Sequence, residues 1–389
     1  MQGGRRVAVT GIGVVASAGI GVDAFWAGLL GTPPDGPRQI HDWDPSPWFG
    51  PKDARRSDRF SQFAVAAAEE ALADAGTIGA DLDRSGVFVA TGVGGLNTLE
   101  EQIVVNHEKG SKRVSPFLVP MMMCNAAAAT VSMRFGWRGP CEATVTACAA
   151  STHAIGNAAR LVAMGVCDAM LAGGSETAIT PTGVAGFRNM TALSASGISR
   201  PFDLDRDGFV IAEGAGILVL EAWDLAVARG ATIHGEILGS ASTADAHHIT
   251  APSPDGAGAV RCMEWALADA GLAAAEIGQI NAHGTSTPLN DAAEALAITK
   301  VFGTPGPPVT STKGVTGHAL GAAGALEATA VLLSMRHRLI PPTSGLVNLD
   351  PAVTVDVVAG APRPWEPGPT LSNSFGFGGH NGCLVLGPA

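Results

Sequence analysis

An α/β fold is predicted by three observations in this 389-residue chain. Short apolar β-type runs alternate with alanine-rich helical stretches, turn residues separate them, and 51 glycines with abundant alanine call for helices packed closely on layered sheets. The first strand is Val7-Ala-Val-Thr-Gly-Ile-Gly13, a β-type run that leads into a glycine turn. A helix follows from Asp23, read as its N-cap, to Leu30. The segment 32–51 is rich in Pro and Trp, which breaks the alternation and predicts an irregular surface excursion. Phe63 to Ala75 then reads as helix, followed by the β-type run Ser85-Gly-Val-Phe-Val-Ala-Thr-Gly-Val-Gly-Gly95; a helix ending near Gly165 precedes the strand from Asp168 to Ala172.

The composition narrows the function. With 46% hydrophobic and 15% charged residues, the chain is neither disordered, nor a coiled coil, nor a protein that coats nucleic acid. A net charge of −11 opposes broad attraction to phosphate backbones or anionic membranes, so an acidic partner needs a local basic patch. The six cysteines form no C-x-x-C pair, which fits a reducing compartment better than a zinc site or disulfide framework. Two stretches imitate membrane signals. Arg5-Arg6 with the apolar run to Ala18 resembles an export signal, but Thr10, Gly11, Gly13 and Ser17 interrupt it. The uncharged run 114–133 carries Pro116, Pro120 and Asn125, and reads as a buried segment of a soluble core. The expected location is the cytoplasm.

Three features could carry chemistry. Gly11-x-Gly13-x-x-Ala16, with Asp35 further on, matches a loose dinucleotide fingerprint, yet the helix begins too late for its N-terminus to meet a pyrophosphate, and turn glycines explain the motif. Cys148, flanked by alanines at the start of an apolar helix, would feel the helix dipole and free N–H groups, which predicts a lowered thiol pKa and a nucleophile; a small buried hydrophobe is the alternative. Two histidines strengthen the first reading. His283 sits between a β-type run and a Gly-Thr-Ser-Thr turn, and His318 follows Lys313 in a glycine-bearing loop. Two neutral imidazoles can donate to one carbonyl oxygen, and a nearby lysine can orient one of them. His41, His107, His153, His234 and His337 read as structural. Thr146-Ala-Cys148 and Thr316-Gly-His318 also look alike, which suggests a duplicated fold with both reactive residues in equivalent places, unless the likeness is a chance product of alanine-rich sequence.

Taken together, Thr146-Ala-Cys148-Ala, His283-Gly-Thr-Ser-Thr-Pro288, Lys313-x-x-x-Gly-His318 and Asn373-Ser-Phe-Gly-Phe-Gly-Gly-His380-Asn381 resemble the signature set of β-ketoacyl-acyl-carrier-protein synthases, in their elongating type II branch. The likeness runs end to end and includes Arg200-Pro-Phe-Asp203 and Arg206-Asp-Gly-Phe-Val210. It implies a thiolase-like duplicated fold in five layers, α-β-α-β-α, with an N-terminal half over 1–232 carrying the cysteine and a C-terminal half over 233–389 carrying the two histidines. It further implies a homodimer, or a heterodimer with a related subunit; the partners are an acyl carrier protein and the acyl and malonyl thioesters on its phosphopantetheine. No free cofactor, metal, nucleic acid or membrane is implied.

Residue by residue, the resemblance gives Cys148 the acyl thioester, and His283 and His318 the malonyl carbonyl, its decarboxylation and the enolate. The backbone N–H groups of Cys148 and Phe377 would form the oxyanion hole, with Phe377 also a gate on a mobile glycine loop. Lys313 would act electrostatically with Glu327 as its ion-pair partner. Thr285 and Thr287 would hold the phosphopantetheine arm, and Asp291 and Glu294 would be structural acids as readily as catalytic ones. Leu99, Phe187, Phe209 and Met122 would line the acyl pocket, the run 121–123 being pocket or core filler. Lys52, Arg55, Arg56, Arg59 and Arg188 would dock the acidic carrier, or the first four would be a solvated helix start.

The chain departs from the family pattern in a short loop at 194–199, in Thr191 where a docking base is usual, in His380 where threonine is commoner, and in His247 where tyrosine is common; the chain has no tyrosine at all. These departures bear on substrate and carrier preference. The alternatives are a non-condensing chain-length partner subunit, which usually lacks the cysteine, a scaffold with a degenerate site, and a nicotinamide-dependent oxidoreductase.

Overall fold

The computed structural model describes Met1 and residues 3–389. Its first half supplies strands β1 (Val7–Ala16), β2 (Ser85–Ala90), β3 (Cys141–Glu142), β4 (Ala169–Glu176) and β5 (Gly214–Ala222), and its second half β6 (Gly235–Ala244), β7 (Gln279–Asn281), β8 (Val309–Thr310), β9 (Thr370–Gly376) and β10 (His380–Gly387). The sheet order is β3-β2-β4-β5-β1 in the first half and β8-β7-β9-β10-β6 in the second. Each half thus places its third, second, fourth, fifth and first strands in the same sequence, and the first three of that order are parallel in both. The last two run antiparallel to their neighbours in both. Two residue pairs, Ala8 with Glu236 and Val9 with Gly235, join the sheets at β1 and β6.

The principal helices in chain order are α1 (Val22–Leu29), α2 (Arg59–Ala75), α3 (Leu96–Lys109), α4 (Ala126–Phe135), α5 (Ala150–Ala163), α6 (Pro181–Asn189), α7 (Ala257–Ala270), α8 (Pro288–Phe302), α9 (Lys313–Thr316) and α10 (Ala323–His337). Helices α5 and α10 lie between the sheets and touch strands of both. Helices α2 and α4 cover the outer face of the first sheet, and α7, with α8 against it, covers the second. This is the five-layered α-β-α-β-α arrangement. A helix enclosed on all sides must be apolar all round: Ala323 to Met335 of α10 are buried without a break, with Ala, Gly and Leu as most of the run. Strands β1, β4 and β5 are buried throughout because helices cover both faces.

Several expectations need correction. Gly11 and Gly13 are not turn glycines; they lie inside β1, where an added Cβ would fall 2.0 Å from the Ala71 carbonyl oxygen and 1.9 Å from that of Ala67 on α2. Their smallness sets the helix-on-sheet distance, and no phosphate-binding turn exists there. The N-cap of α1 is Gly21, with Asp23 inside its first turn. The segment 32–51 is not purely a surface excursion: Ile40 and Arg38 are buried, and Trp43 stacks on Trp48 and packs edge-on to Phe63. The run 114–133 is only partly core. Ala126, Ala127, Ala128 and Val131 are buried in α4, while Val119, Met123 and Met133 are exposed. Among the described residues no helix is long and apolar enough to cross a membrane.

The duplication is real, but the two reactive residues are not equivalent. In each half a short 3-10 turn leads into the central helix, Ala147–Ala149 before α5 and Leu320–Ala322 before α10, and each has a positive-φ residue at its start, Ala147 (49°) and Leu320 (44°). Cys148 therefore corresponds to Gly321. His318 lies three residues earlier, in a stretch enlarged by α9 that has no counterpart in the first half.

Candidate active site

Cys148 sits on the strained turn that opens α5, where Ala147 just before it has a φ of 49°, a conformation an alanine rarely adopts. The turn is pinned by His153, one helical turn on: its Nδ1 meets Thr146 Oγ1 at 2.8 Å and its Nε2 the Asn381 carbonyl at 3.1 Å. Gly376 lies so close that a Cβ there would be 3.0 Å from the Cys148 nitrogen, which brings the 376–379 loop over the sulfur. The N–H of Phe377 lowers the Cys148 thiol pKa from this loop, though burial outweighs it.

His283 follows β7 and His318 follows α9. His318 Nε2 is 3.0 Å from Cys148 Sγ, the two imidazoles cross edge to face with centroids 5.3 Å apart, and Phe209 packs edge-on to His318 at 5.2 Å. Lys313 donates from Nζ to the His283 carbonyl at 2.6 Å, faces His283 Nδ1 at 3.2 Å, and forms an ion pair with Glu327. An ammonium has only donors, so Nδ1 of His283 is the acceptor and its proton resides on Nε2. Nδ1 of His318 has no hydrogen-bond partner. An unpaired buried N–H costs more than an unpaired lone pair, so His318 too carries its proton on Nε2. Burial first, then the Lys313 charge, holds both imidazoles well below the usual histidine range and neutral. The site thus offers two neutral Nε2–H donors beside a thiol.

The prediction of a lowered thiol pKa is overturned. Cys148 is 6% exposed, and burial pushes its thiol up to about 11 in spite of the Phe377 N–H and the Lys313 charge, while Glu176 raises it further. The helix-terminal field is outweighed because burial strips most of the water that would solvate a thiolate.

The acids divide by role. Glu294 accepts from the backbone N–H groups of His283 (2.8 Å) and Gly284 (2.7 Å) and from Asn373 (3.2 Å); burial pushes it up to about 7. Asp291 accepts from the Phe202 N–H at 2.9 Å, and burial raises it as well. Both brace the 283–287 turn from beneath and are structural in geometry. Thr285 and Thr287, whose hydroxyls are 2.9 Å apart, line a cavity of about 350 Å³ whose wall also includes Cys148, Phe187, Phe209, His283, His318 and Phe377. Leu99 and Met122 are not on that wall. Leu99 is on α3, and the 121–123 segment turns its backbone toward the 94–95 loop, where Gly95 N–H bonds to the Met122 carbonyl.

Of the basic residues, Lys52, Arg55, Arg56 and Arg188 are exposed, Arg56 lying over the Phe117 ring at 4.3 Å. Arg59 is not available for docking, because it is paired with Glu213 at 2.7 Å and bonded to the Ile40 carbonyl. Two buried groups escaped the sequence reading. Arg38, 2% exposed, donates to the carbonyls of Val315 (3.0 Å) and Gly314 (3.3 Å) and so caps α9 just ahead of His318. A lone arginine in a Pro-rich stretch carries no signal of this. Glu176 ends β4, and a carboxylate closing the apolar run Ala169-Met-Leu-Ala-Gly-Gly-Ser could have been flagged as a buried charge.

Cys148, His283 and His318 place ligand atoms within 4.8 Å of one another, close enough to share a thiophilic cation. The Lys313 ammonium argues against a resident one, since it adds a positive charge beside His283 and keeps that ring's Nε2 protonated.

A duplicated α/β fold with a cysteine on a strained turn, two neutral histidines and a buried lysine defines an enzyme of the thiolase-like class, built for acyl transfer through a thioester. The chain belongs to the beta-ketoacyl synthase family: the family's N-terminal domain matches residues 38–226 and its C-terminal domain residues 234–347. It is 45% identical over 406 residues to 3-oxoacyl-[acyl-carrier-protein] synthase 2 of Synechocystis sp., covering 98% of each chain. Among solved structures it superposes on the ishigamide ketosynthase/chain length factor with a TM-score of 0.93 at 34% identity, covering 99% of this chain and 100% of the other. It also superposes on a type II PKS acyl-carrier protein in complex with its ketosynthase bound to the hexaketide, with a TM-score of 0.91 at 33% identity, 99% and 100% covered.

Proposed function

We propose that this chain is a 3-oxoacyl-carrier-protein synthase that joins an acyl group held on Cys148 to a malonyl unit on an acyl carrier protein, in fatty acid or polyketide synthesis. The observation that carries the reading is the convergence of Cys148 Sγ, His318 Nε2 and a ring nitrogen of His283 within 4.8 Å at the cavity wall.

The sulfur of Cys148 attacks the acyl thioester carbonyl, the carbon–sulfur bond to phosphopantetheine breaks, and the thiol proton leaves with the departing thiol. Oxyanion charge is met by the N–H groups of Cys148 and Phe377. Because the thiol is not ionised beforehand, proton loss and attack are coupled. Malonyl thioester then binds with its carbonyl oxygen between the two Nε2–H groups. Its carboxylate leaves as carbon dioxide, the electron pair forms the enolate, and the enolate carbon attacks the acyl carbonyl and expels Cys148. Two neutral donors stabilise an enolate without protonating it. Lys313, buttressed by Glu327, fixes the His283 tautomer, and Thr285 and Thr287 guide the phosphopantetheine arm; Phe187 and Phe209 wall the acyl chain and Phe377 gates it.

For the partner, the names of the relative and of one solved neighbour point to an acyl carrier protein. Lys52, Arg55, Arg56 and Arg188 offer the exposed cations for its docking. A second copy would cover the exposed Val119, Met123, Met133 and Val145 near the unpaired edge of β3, giving a homodimer. The halves 1–232 and 233–389 and a cytoplasmic location complete the reading, which invokes no cofactor beyond the carrier's arm. Intact-protein mass spectrometry with a panel of acyl-carrier proteins tests it. One acyl adduct is expected on the wild type and none on Cys148→Ala; an adduct that persists in the variant removes the nucleophile assignment. His318→Ala should still acylate and lose malonyl-carrier decarboxylation.

A further inference from the structure

The equivalence of Cys148 and Gly321 leaves the C-terminal half with a counterpart of the active site, and that counterpart is occupied. The segment after β7 that carries His283 corresponds to the segment after β2 that carries Gly92, and the end of β9 at Gly376 corresponds to the end of β4 at Glu176. Where the first half's turn meets cysteine, histidine and a glycine loop, the second brings together Gly321, Gly92 and a carboxylate. Glu176 Oε2 accepts from the N–H of Gly92 at 2.6 Å and of Gly321 at 3.1 Å, and Oε1 from Thr91 Oγ1 at 3.1 Å. The fit requires bare backbone. A Cβ on Gly92 would be 2.6 Å from Glu176 Oε2, and one on Gly321 would be 2.1 Å from the Gly92 nitrogen. Glu176 is fully buried, no cation is among the groups bonded to it, and its charge is felt at the Cys148 sulfur.

We propose that Glu176 is a positioning residue: its carboxyl group fills the N–H pocket beside Gly321, the counterpart of Cys148, and by holding Gly321 it fixes the segment that carries His318. The distance from His318 to Gly321 is three residues, and Leu320 between them lines the catalytic cavity and is held at positive φ, so a shift of Gly321 displaces the imidazole and the cavity wall together. The three donors around one carboxyl group also tie the 91–94 loop to the same point, where Gly94 N–H bonds to Thr91 Oγ1.

This rests on the condensing-enzyme reading for its activity readout, but not for its anion readout. Glu176→Ala empties the pocket, and the expected result is a loss of kcat on the order of 10- to 100-fold with KM for the carrier substrate within about twofold, the size seen for outer supporting partners of a site. Formate at tens of millimolar should restore much of that loss and raise the melting temperature of the variant while leaving the wild type unchanged. Glu176→Gln, which keeps the volume but turns an amide toward N–H donors, should lose activity without formate rescue. Wild-type kcat in either variant, or a loss in Glu176→Ala that formate neither restores nor stabilises against heat, overturns the proposal. A wild type that fails to condense defeats the condensing reading instead, while the formate-dependent melting shift still decides the pocket; a Glu176→Ala chain that does not fold without formate but folds with it counts in favour.

Discussion

At the scale of single residues, the chemistry of Cys148 is set by burial rather than by its place at a helix start. A thiol pushed up to about 11 is protonated across the physiological range. The rate of alkylation by iodoacetamide should therefore climb about tenfold per pH unit between pH 7 and 9, without levelling, since only the thiolate reacts; a plateau near pH 8 would contradict the assignment. Lys313 acts through His283, so Lys313→Ala should depress malonyl decarboxylation by roughly 10- to 100-fold while acyl loading of Cys148 changes far less, because only decarboxylation needs the His283 Nε2–H. Half-reaction rates from quenched intact-mass measurements would separate the two. The residues doing this chemistry were legible in the sequence because each sits in a motif of distinctive neighbours. Arg38 was not, and Glu176 showed only as a charge closing an apolar run, because what identifies their roles is the set of backbone groups they reach, Val315 and Gly314 for one and Gly92 and Gly321 for the other.

Between elements, the closeness of helix to sheet is decided by glycines inside strands. Gly13→Ala would place a methyl 1.9 Å from the Ala67 carbonyl oxygen and 2.7 Å from the Ala71 nitrogen, so α2 must move off β1. Overpacking of this kind costs about 1–3 kcal/mol. Urea denaturation should report a loss of that size, and a change under about 0.5 kcal/mol would mean the layers slide freely. The same glycines looked like a nucleotide loop in the sequence. Strand and turn share the residues Val-Thr-Gly-Ile-Gly, and only the helix packed across them shows that the glycines face α2 rather than a phosphate. The 114–133 run misled for a related reason: its apolar side chains suit a core, yet Val119, Met123 and Met133 remain exposed.

For the molecule as a whole, buried carboxylates shape stability. Glu176 and Glu294 are each pushed by burial from the ordinary value of 4.5 up to about 7. Between those values the folded chain keeps protons that the unfolded chain has released, so stability falls as pH rises from about 4.5 to 7. Each group contributes up to about 3 kcal/mol to that fall. Urea midpoints should accordingly be higher at pH 5.5 than at pH 7.5, and Glu294→Gln should flatten the difference; a midpoint that rises with pH across this window would count against both burials. Acids held below their usual range, Asp168 by Arg84 and Arg5 and the buried Asp203 by the backbone N–H groups of Asn348, Asp205 and Val347, contribute in the opposite sense, but only at lower pH.

By itself the sequence determined the α/β class, the order of the elements, the nucleophile, both histidines, the lysine with its glutamate, and the family, because periodicity and local motifs are properties of neighbours along the chain. Only the tertiary structure decided that the duplication pairs Cys148 with Gly321 rather than His318, that the thiol is raised rather than lowered, that Arg59 is consumed by Glu213, and that Glu176 fills the second site. Each of these depends on which backbone donors and apolar walls converge from distant segments, and on how much water they exclude. Solvent exclusion is a property of the assembled layers, and no spacing of residues along the chain encodes it.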